Sequence, residues 1–345
     1  MRKLTNLTAI VLSCVLATGA VAQTRTLKVL GQPGATGEIQ KNKEGPFFQN
    51  FADNTGLDVN ANFQTLDQTG VKGAEELRIL KSGLFDIISL RLQQVSRDAP
   101  AIMGLDLVGL NTDYDNARET MNEFGPVVDK QLQENFNTKL LGLWPFGPQV
   151  LFCNREVSGL SDLKGAKVRT DDQTLSKFVE SIGAIPVQMG FSEVYQSLAR
   201  GVVDCAITGP SSANASDWPE VTTYVLPLSF RFAVQGYGMN LKAWNSFSPE
   251  DQQKIQAAFD GLVDEIWAYS EELYNDAMNC NVGKSPCELN KPFDLTEAPV
   301  SKEDLAVVSD GLMGVSFPAW AEVCDANFKD CSQEWMDTVG KRVAN

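Results

Sequence analysis

Arg169 is the residue best placed to do chemistry in this chain. It closes the short stretch Ala166-Lys-Val-Arg169, which reads as a buried strand, and a guanidinium in such a place needs a partner. Its planar fork of N–H donors matches the two oxygens of a carboxylate, so the chemistry on offer is capture of an organic anion. A neighbouring acid of the chain, Asp171 or Asp172, could equally be that partner. Arg91, just past a predicted strand over 85–89, is a second cation, set either to face a cleft or to lie on the surface. Trp144, Phe146 and Phe191, with Tyr237 as a fourth, could line a pocket with an aromatic wall. An apolar wall with few polar anchors suits an aromatic or branched monocarboxylate. Arg91 acting with Arg169 suits a C4-dicarboxylate or a hydroxy acid instead.

What is missing narrows the choice. The 345 residues include no histidine, which removes Ser-His-Asp and Cys-His catalysis and imidazole metal ligation. No phosphate-cradling Gly-x-x-x-x-Gly-Lys-Ser/Thr run occurs. The glycine-rich stretch over 31–37 reads as a turn that lets backbone approach a ligand. A formal net charge of −15 repels nucleic acid and anionic lipid, so local arginines must attract an anion against the overall field. The expectation is a binding protein that is not an enzyme, needs no cofactor and meets no nucleic acid.

The first residues read as an address. Arg2 and Lys3, an apolar run over 7–17 and Ala20-Val-Ala22 have the layout of a secretory signal peptide, removed after residue 22. Export to the periplasm follows, and nothing later in the chain has the length and apolarity for direct membrane insertion. In that oxidising compartment the remaining six cysteines read as disulfides. Cys280–Cys287 and Cys324–Cys331 would each close a short loop beside a helix end, which leaves Cys153–Cys205 on two predicted strands. A zinc site is the weaker alternative, since no C-x-x-C spacing and no histidine support it.

The elements that must hold these residues come in two rounds. Strands over 26–30, 57–63 and 85–89 alternate with helices, which implies a parallel sheet with right-handed crossovers. A helix or broken pair of helices over 113–136, interrupted near Gly125-Pro126, leads to a strand over 139–143. The rhythm restarts at 150–153, followed by strands over 166–169, 185–187 and 202–207. Strands over 224–228 and 233–240 are placed to cross between the halves. Ser248-Pro249-Glu250-Asp251 is a strong helix start, and the helix runs to about residue 279, long enough to brace both halves. The chain therefore divides into a leader over 1–22, lobe I over 23–146 plus about 235–275, and lobe II over 147–234 plus about 276–345. A ligand would sit in the cleft between the lobes.

One stretch carries a family resemblance. Asp162-Leu-Lys-Gly-Ala-Lys-Val-Arg169, then Gly183-Ala-Ile-Pro-Val-Gln-Met-Gly-Phe191-Ser-Glu-Val-Tyr195-Gln-Ser-Leu, then Gly201-Val-Val-Asp204 run without a gap. The run closely resembles the substrate-binding proteins of tripartite ATP-independent periplasmic (TRAP) transporters. Weaker agreement includes Leu80-Lys-Ser-Gly83 and Cys153-Asn-Arg155. The resemblance implies an α/β, two-lobed periplasmic-binding-protein fold with a ligand cleft between the lobes. It also implies a small organic anion as ligand and the TRAP membrane permease subunits as partners. By the same resemblance Arg169 grips the ligand carboxylate and Phe191 packs on the ligand, although Phe191 could also be core filler. Three positions depart from the family's habit or mark its pocket. Gln149 stands where many members carry a second arginine, Thr208 where an asparagine is frequent, and Gln32 is the loop residue after the first strand. Gln149 in place of a cation tilts the expectation toward a monocarboxylate. A two-lobed receptor for another transporter class or a sensor kinase is the rival reading.

Overall fold

A computed structural model describes residues 25–34 and 37–343, so the leader expected over 1–22 lies outside the described residues. Two α/β sheets organise the chain. The first contains β1 (Arg25–Gly31), β2 (Val59–Thr65), β3 (Ile87–Leu90) and β4 (Thr138–Pro145). The second contains β5 (Val150–Cys153), β6 (Lys167–Thr170), β7 (Ile185–Gln188), β8 (Cys205–Thr208), β9 (Tyr224–Leu226) and β11 (Thr296–Glu297). Between β9 and β11 in sequence, β10 (Val234–Asn240) returns to the first sheet, whose order is β2-β1-β3-β10-β4.

The first sheet is mixed rather than parallel throughout. β1 pairs in parallel with β2 and β3, while β10 runs antiparallel to β3 and β4 because it enters from the opposite lobe. Gly238 makes that insertion possible: a Cβ there would lie 2.8 Å from Leu80 and from Leu90. Of the two strands expected to cross, β9 stays in the second sheet beside β5, and β10 crosses.

Pro249–Asn281 forms the expected long helix. Ser248 caps it by accepting from the Asp251 N–H, and proline sits in the first turn. It fastens to both halves, through Trp267 Nε1 to the Leu143 carbonyl at 3.1 Å and Asn281 Nδ2 to the Pro210 carbonyl at 3.2 Å. Tyr114–Phe136 is one continuous helix with Pro126 inside it, where an interruption was expected. Phe124, Gly125 and Val128 are buried along it, and that packing outweighs the local cost of the proline.

The C-terminal helices correct the expected division of the chain. Phe317–Asn327 and Cys331–Asp337 pack on the first lobe, where Trp320 and Trp335 donate to the carbonyls of Pro100 and Gly104 at 2.8 Å each. Two buried indoles seek apolar cover with a carbonyl in reach, and the wall beside Tyr114–Phe136 offers both. All three expected disulfides are present: Cys153–Cys205, Cys280–Cys287 and Cys324–Cys331.

Candidate ligand-binding cleft

The cleft is built from strand ends. β6 and β8 run parallel, and their carboxyl ends deliver Arg169 and Thr208 to the same edge of the second sheet. Gln149 stands just before β5, with its backbone N–H donating to the Arg231 carbonyl at 2.8 Å. From the first lobe come Gln32 after β1, Arg91 after β3 and Phe146 after β4. These six residues and Phe191 line one cavity of about 70 Å³, joined by Asp171 and by Gln93 and Gln235, which sequence reasoning missed. A glutamine carries no spacing signal of its own, and only the crossing of β10 brings Gln235 beside Gln93.

Arg169 is buried, 2% exposed, yet no carboxylate lies within ion-pair distance of it among the described residues. Nε and Nη2 donate to the Met189 carbonyl at 3.3 and 3.1 Å, and Nη1 donates to the Ile207 carbonyl at 3.1 Å. A guanidinium has five N–H groups, two on each terminal nitrogen. These bonds therefore leave one N–H on each terminal nitrogen, two donors for a carboxylate's two oxygens. Burial pulls the Arg169 pKa down, opposed by the charge of Asp171.

The internal acids that could have quenched Arg169 are occupied elsewhere. Arg231 is fully buried and forms ion pairs with both Asp171 and Asp172. Asp106 of the first lobe lies 3.9 Å from its Nε. Burial works against the Arg231 charge, but the three carboxylates outweigh it and hold its proton more tightly than usual. Asp106 is pushed up to about 6, chiefly by burial, with Arg231 and the N–H groups of Phe232 and Val234 pulling the other way. Asp172 also caps the helix Gln173–Ser181 by accepting from Leu175 N–H. The sequence did carry a signal for this cluster. An arginine between Phe230 and Phe232 in an apolar run must be buried, and a buried arginine must be paired.

Arg91 is part of the cavity wall but is already neutralised. Its Nε donates to Glu76 Oε1 at 2.9 Å, and its backbone N–H donates to Glu76 Oε2 at 2.8 Å. Glu76 is fully buried, and burial raises its pKa against the opposing pull of Arg91. The aromatic wall is smaller than expected. Phe146 and half-buried Phe191 line the cavity, and Phe191 stacks on the buried Trp218 with centroids 5.2 Å apart. Trp144 and Tyr237 pack in the first-lobe core behind Phe146 instead, against the long helix.

Comparison with known proteins gives a consistent picture. The family described as bacterial extracellular solute-binding protein, family 7, matches residues 60–289. The sialic acid-binding periplasmic protein SiaP of Vibrio cholerae is 26% identical over 191 residues, which are 54% of this chain and 59% of that protein. The matched stretch thus spans about three-fifths of that relative's length. Two solved structures share the fold. A TRAP periplasmic solute binding protein from Desulfovibrio salexigens with bound orotic acid superposes with a TM-score of 0.79 at 17% identity, covering 92% of this chain and 99% of that one. DctP6, an extracytoplasmic solute receptor of Bordetella pertussis binding pyroglutamic acid, gives 0.78 at 19% identity with the same coverage. Both are two-lobed α/β receptors, as the sequence resemblance implied. Among the described residues no helix is long and apolar enough to cross a membrane.

Proposed function

Because this chain belongs to the bacterial extracellular solute-binding proteins of family 7, a family of receptors rather than enzymes, we propose that it is the periplasmic receptor of a TRAP transporter and binds a small organic monocarboxylate. The observation that carries this reading is the buried Arg169, with one uncommitted N–H on each terminal nitrogen and no carboxylate in ion-pair reach among the described residues. A carboxylate entering the cleft completes that hydrogen bonding, and Phe191 covers the ligand from the side. The ligand then bridges both lobes, so its binding energy favours the closed arrangement, and the closed receptor delivers it to the membrane permease. Arg91, held by Glu76, is a poor anchor for a second carboxylate, which favours a monocarboxylate over a C4-dicarboxylate. The orotic and pyroglutamic acids named for the solved relatives are acids of this size class.

Isothermal titration of the purified protein with pyroglutamate, orotate, benzoate and malate tests the reading. At least one monocarboxylate should bind, and Arg169→Lys, which keeps charge but loses the fork, should weaken it by about 10- to 100-fold. Unchanged affinity in that variant refutes the role of Arg169. Preferential binding of malate refutes the monocarboxylate.

A further inference from the structure

Four glutamines meet at the cavity, and their amide orientations are fixed by the chain itself. Gln32 Nε2 donates to the Ser89 carbonyl at 3.0 Å and to its hydroxyl at 3.3 Å. Gln93 Nε2 donates to the Val234 carbonyl at 3.0 Å, so Gln93 Oε1 is left to accept, and Gln235 Nε2 donates to it at 3.0 Å. Gln235 Nε2 also donates to the Ala233 carbonyl at 3.0 Å. Gln149 Nε2 donates to the Gly147 carbonyl at 2.9 Å. A flip of any of these amides would set a carbonyl oxygen against a carbonyl oxygen, so the nitrogens are committed. In Gln32 and Gln235, 1% and 2% exposed, the remaining carbonyl oxygen is buried and has no hydrogen-bond partner among the described residues.

Buried amide oxygens are normally paired, and two orphans on residues that line one cavity call for a donor that the described residues do not supply. Ala233, beside them, holds φ at 50°, a left-handed conformation costly for a residue with a side chain. Strain of this kind persists where the surroundings impose it, and it clusters at ligand sites. The cavity of about 70 Å³ holds roughly five to seven water-sized positions, which suits a compact ligand.

We infer that the ligand is a compact carboxylic acid carrying N–H or O–H donors, which pair with the carbonyl oxygens of Gln32 and Gln235 while Arg169 holds the carboxylate. The inference rests on the receptor reading above and adds the second half of the ligand. One end is an anion met by donors, and the other is a donor met by acceptors. An apolar aromatic acid without such donors would leave both amide oxygens unpaired, so the cleft selects against it.

Matched acids that differ only in the donor test this. Pyroglutamate carries a ring N–H, and 5-oxotetrahydrofuran-2-carboxylate carries a ring oxygen in its place. Lactate and pyruvate form a second pair, and benzoate stands for donor-free acids. Calorimetry on the wild-type protein should show the donor-bearing member of at least one pair binding at least about 10-fold more tightly, the effect of one buried acceptor left unpaired. Gln32→Met or Gln235→Met should remove that preference, so that the two members of the pair bind alike. Equal affinities within both pairs, or benzoate binding as tightly as any, would overturn the inference and leave the receptor reading intact. Failure of every acid to bind overturns both. The wild-type comparison needs no variant to fold.

Discussion

Glu44→Gln should stabilise this protein, and by an amount that depends on pH. Glu44 ends the π-helical turn Gln40–Glu44 and is fully buried. One of its oxygens accepts from the Gln32 backbone N–H at 3.1 Å, and the other has no partner among the described residues. Burial pushes its pKa from 4.5 up to about 7, and the hydrogen bond from the Gln32 N–H only partly offsets the effect. At about 1.4 kcal/mol per decade of proton affinity, the rise is worth about 3 kcal/mol. The sign follows from the direction. The folded state holds the proton more tightly than the unfolded one, so the favourable contribution is fully present below about 4.5 and is lost as pH rises through about 7. Glutamine keeps the acceptor for Gln32 and has no charge to bury. Urea unfolding followed by tryptophan fluorescence should find Glu44→Gln ahead of wild type by about 3 kcal/mol more at pH 8 than at pH 4.5. A difference between the two proteins that does not change with pH would refute the reasoning.

Other perturbations follow from the same contacts. Arg231→Met leaves the buried Asp106 and Asp172 and the partly buried Asp171 without their cation, and should cost about 3–5 kcal/mol in unfolding free energy. It should also weaken acid binding, because a released Asp171 competes for Arg169, and calorimetry on folded variant checks this. Phe191→Ala removes a cavity wall and should raise the Kd for a bound acid by about 10- to 100-fold. An unchanged Kd assigns Phe191 to the core with Trp218. Among the disulfides, Cys153–Cys205 spans 52 residues and Cys324–Cys331 spans 7. Loop closure entropy then makes the first worth about 4 kcal/mol and the second about 2, an order that paired serine variants should reproduce in denaturant titrations.

The local rules of the chain were enough for much of this. Strand and helix positions, the Ser248 cap, the long bracing helix and two of the cysteine pairs followed from alternation, capping chemistry and short spacing, each of which acts within a few residues, and Cys153–Cys205 was the pair left over. The run from Asp162 to Asp204 was specific enough to name the family. Arg169 as a buried cation at a strand end was legible too, because a charge at the close of an apolar strand always needs a partner. Which partner it has was not legible. Asp171 and Asp172 lie two and three residues away in sequence, yet Arg231, some sixty residues further on, takes both. The same holds for Arg91 with Glu76, for Trp144 and Tyr237 behind the cavity wall, and for the C-terminal helices on the first lobe. These depend on which strand β10 chooses as its neighbour and which face of each strand meets the long helix. Sequence thus determined the groups that needed partners, since burial and charge are properties of short segments. Tertiary structure decided which partners they met, since pairing depends on distances that only the closed fold creates.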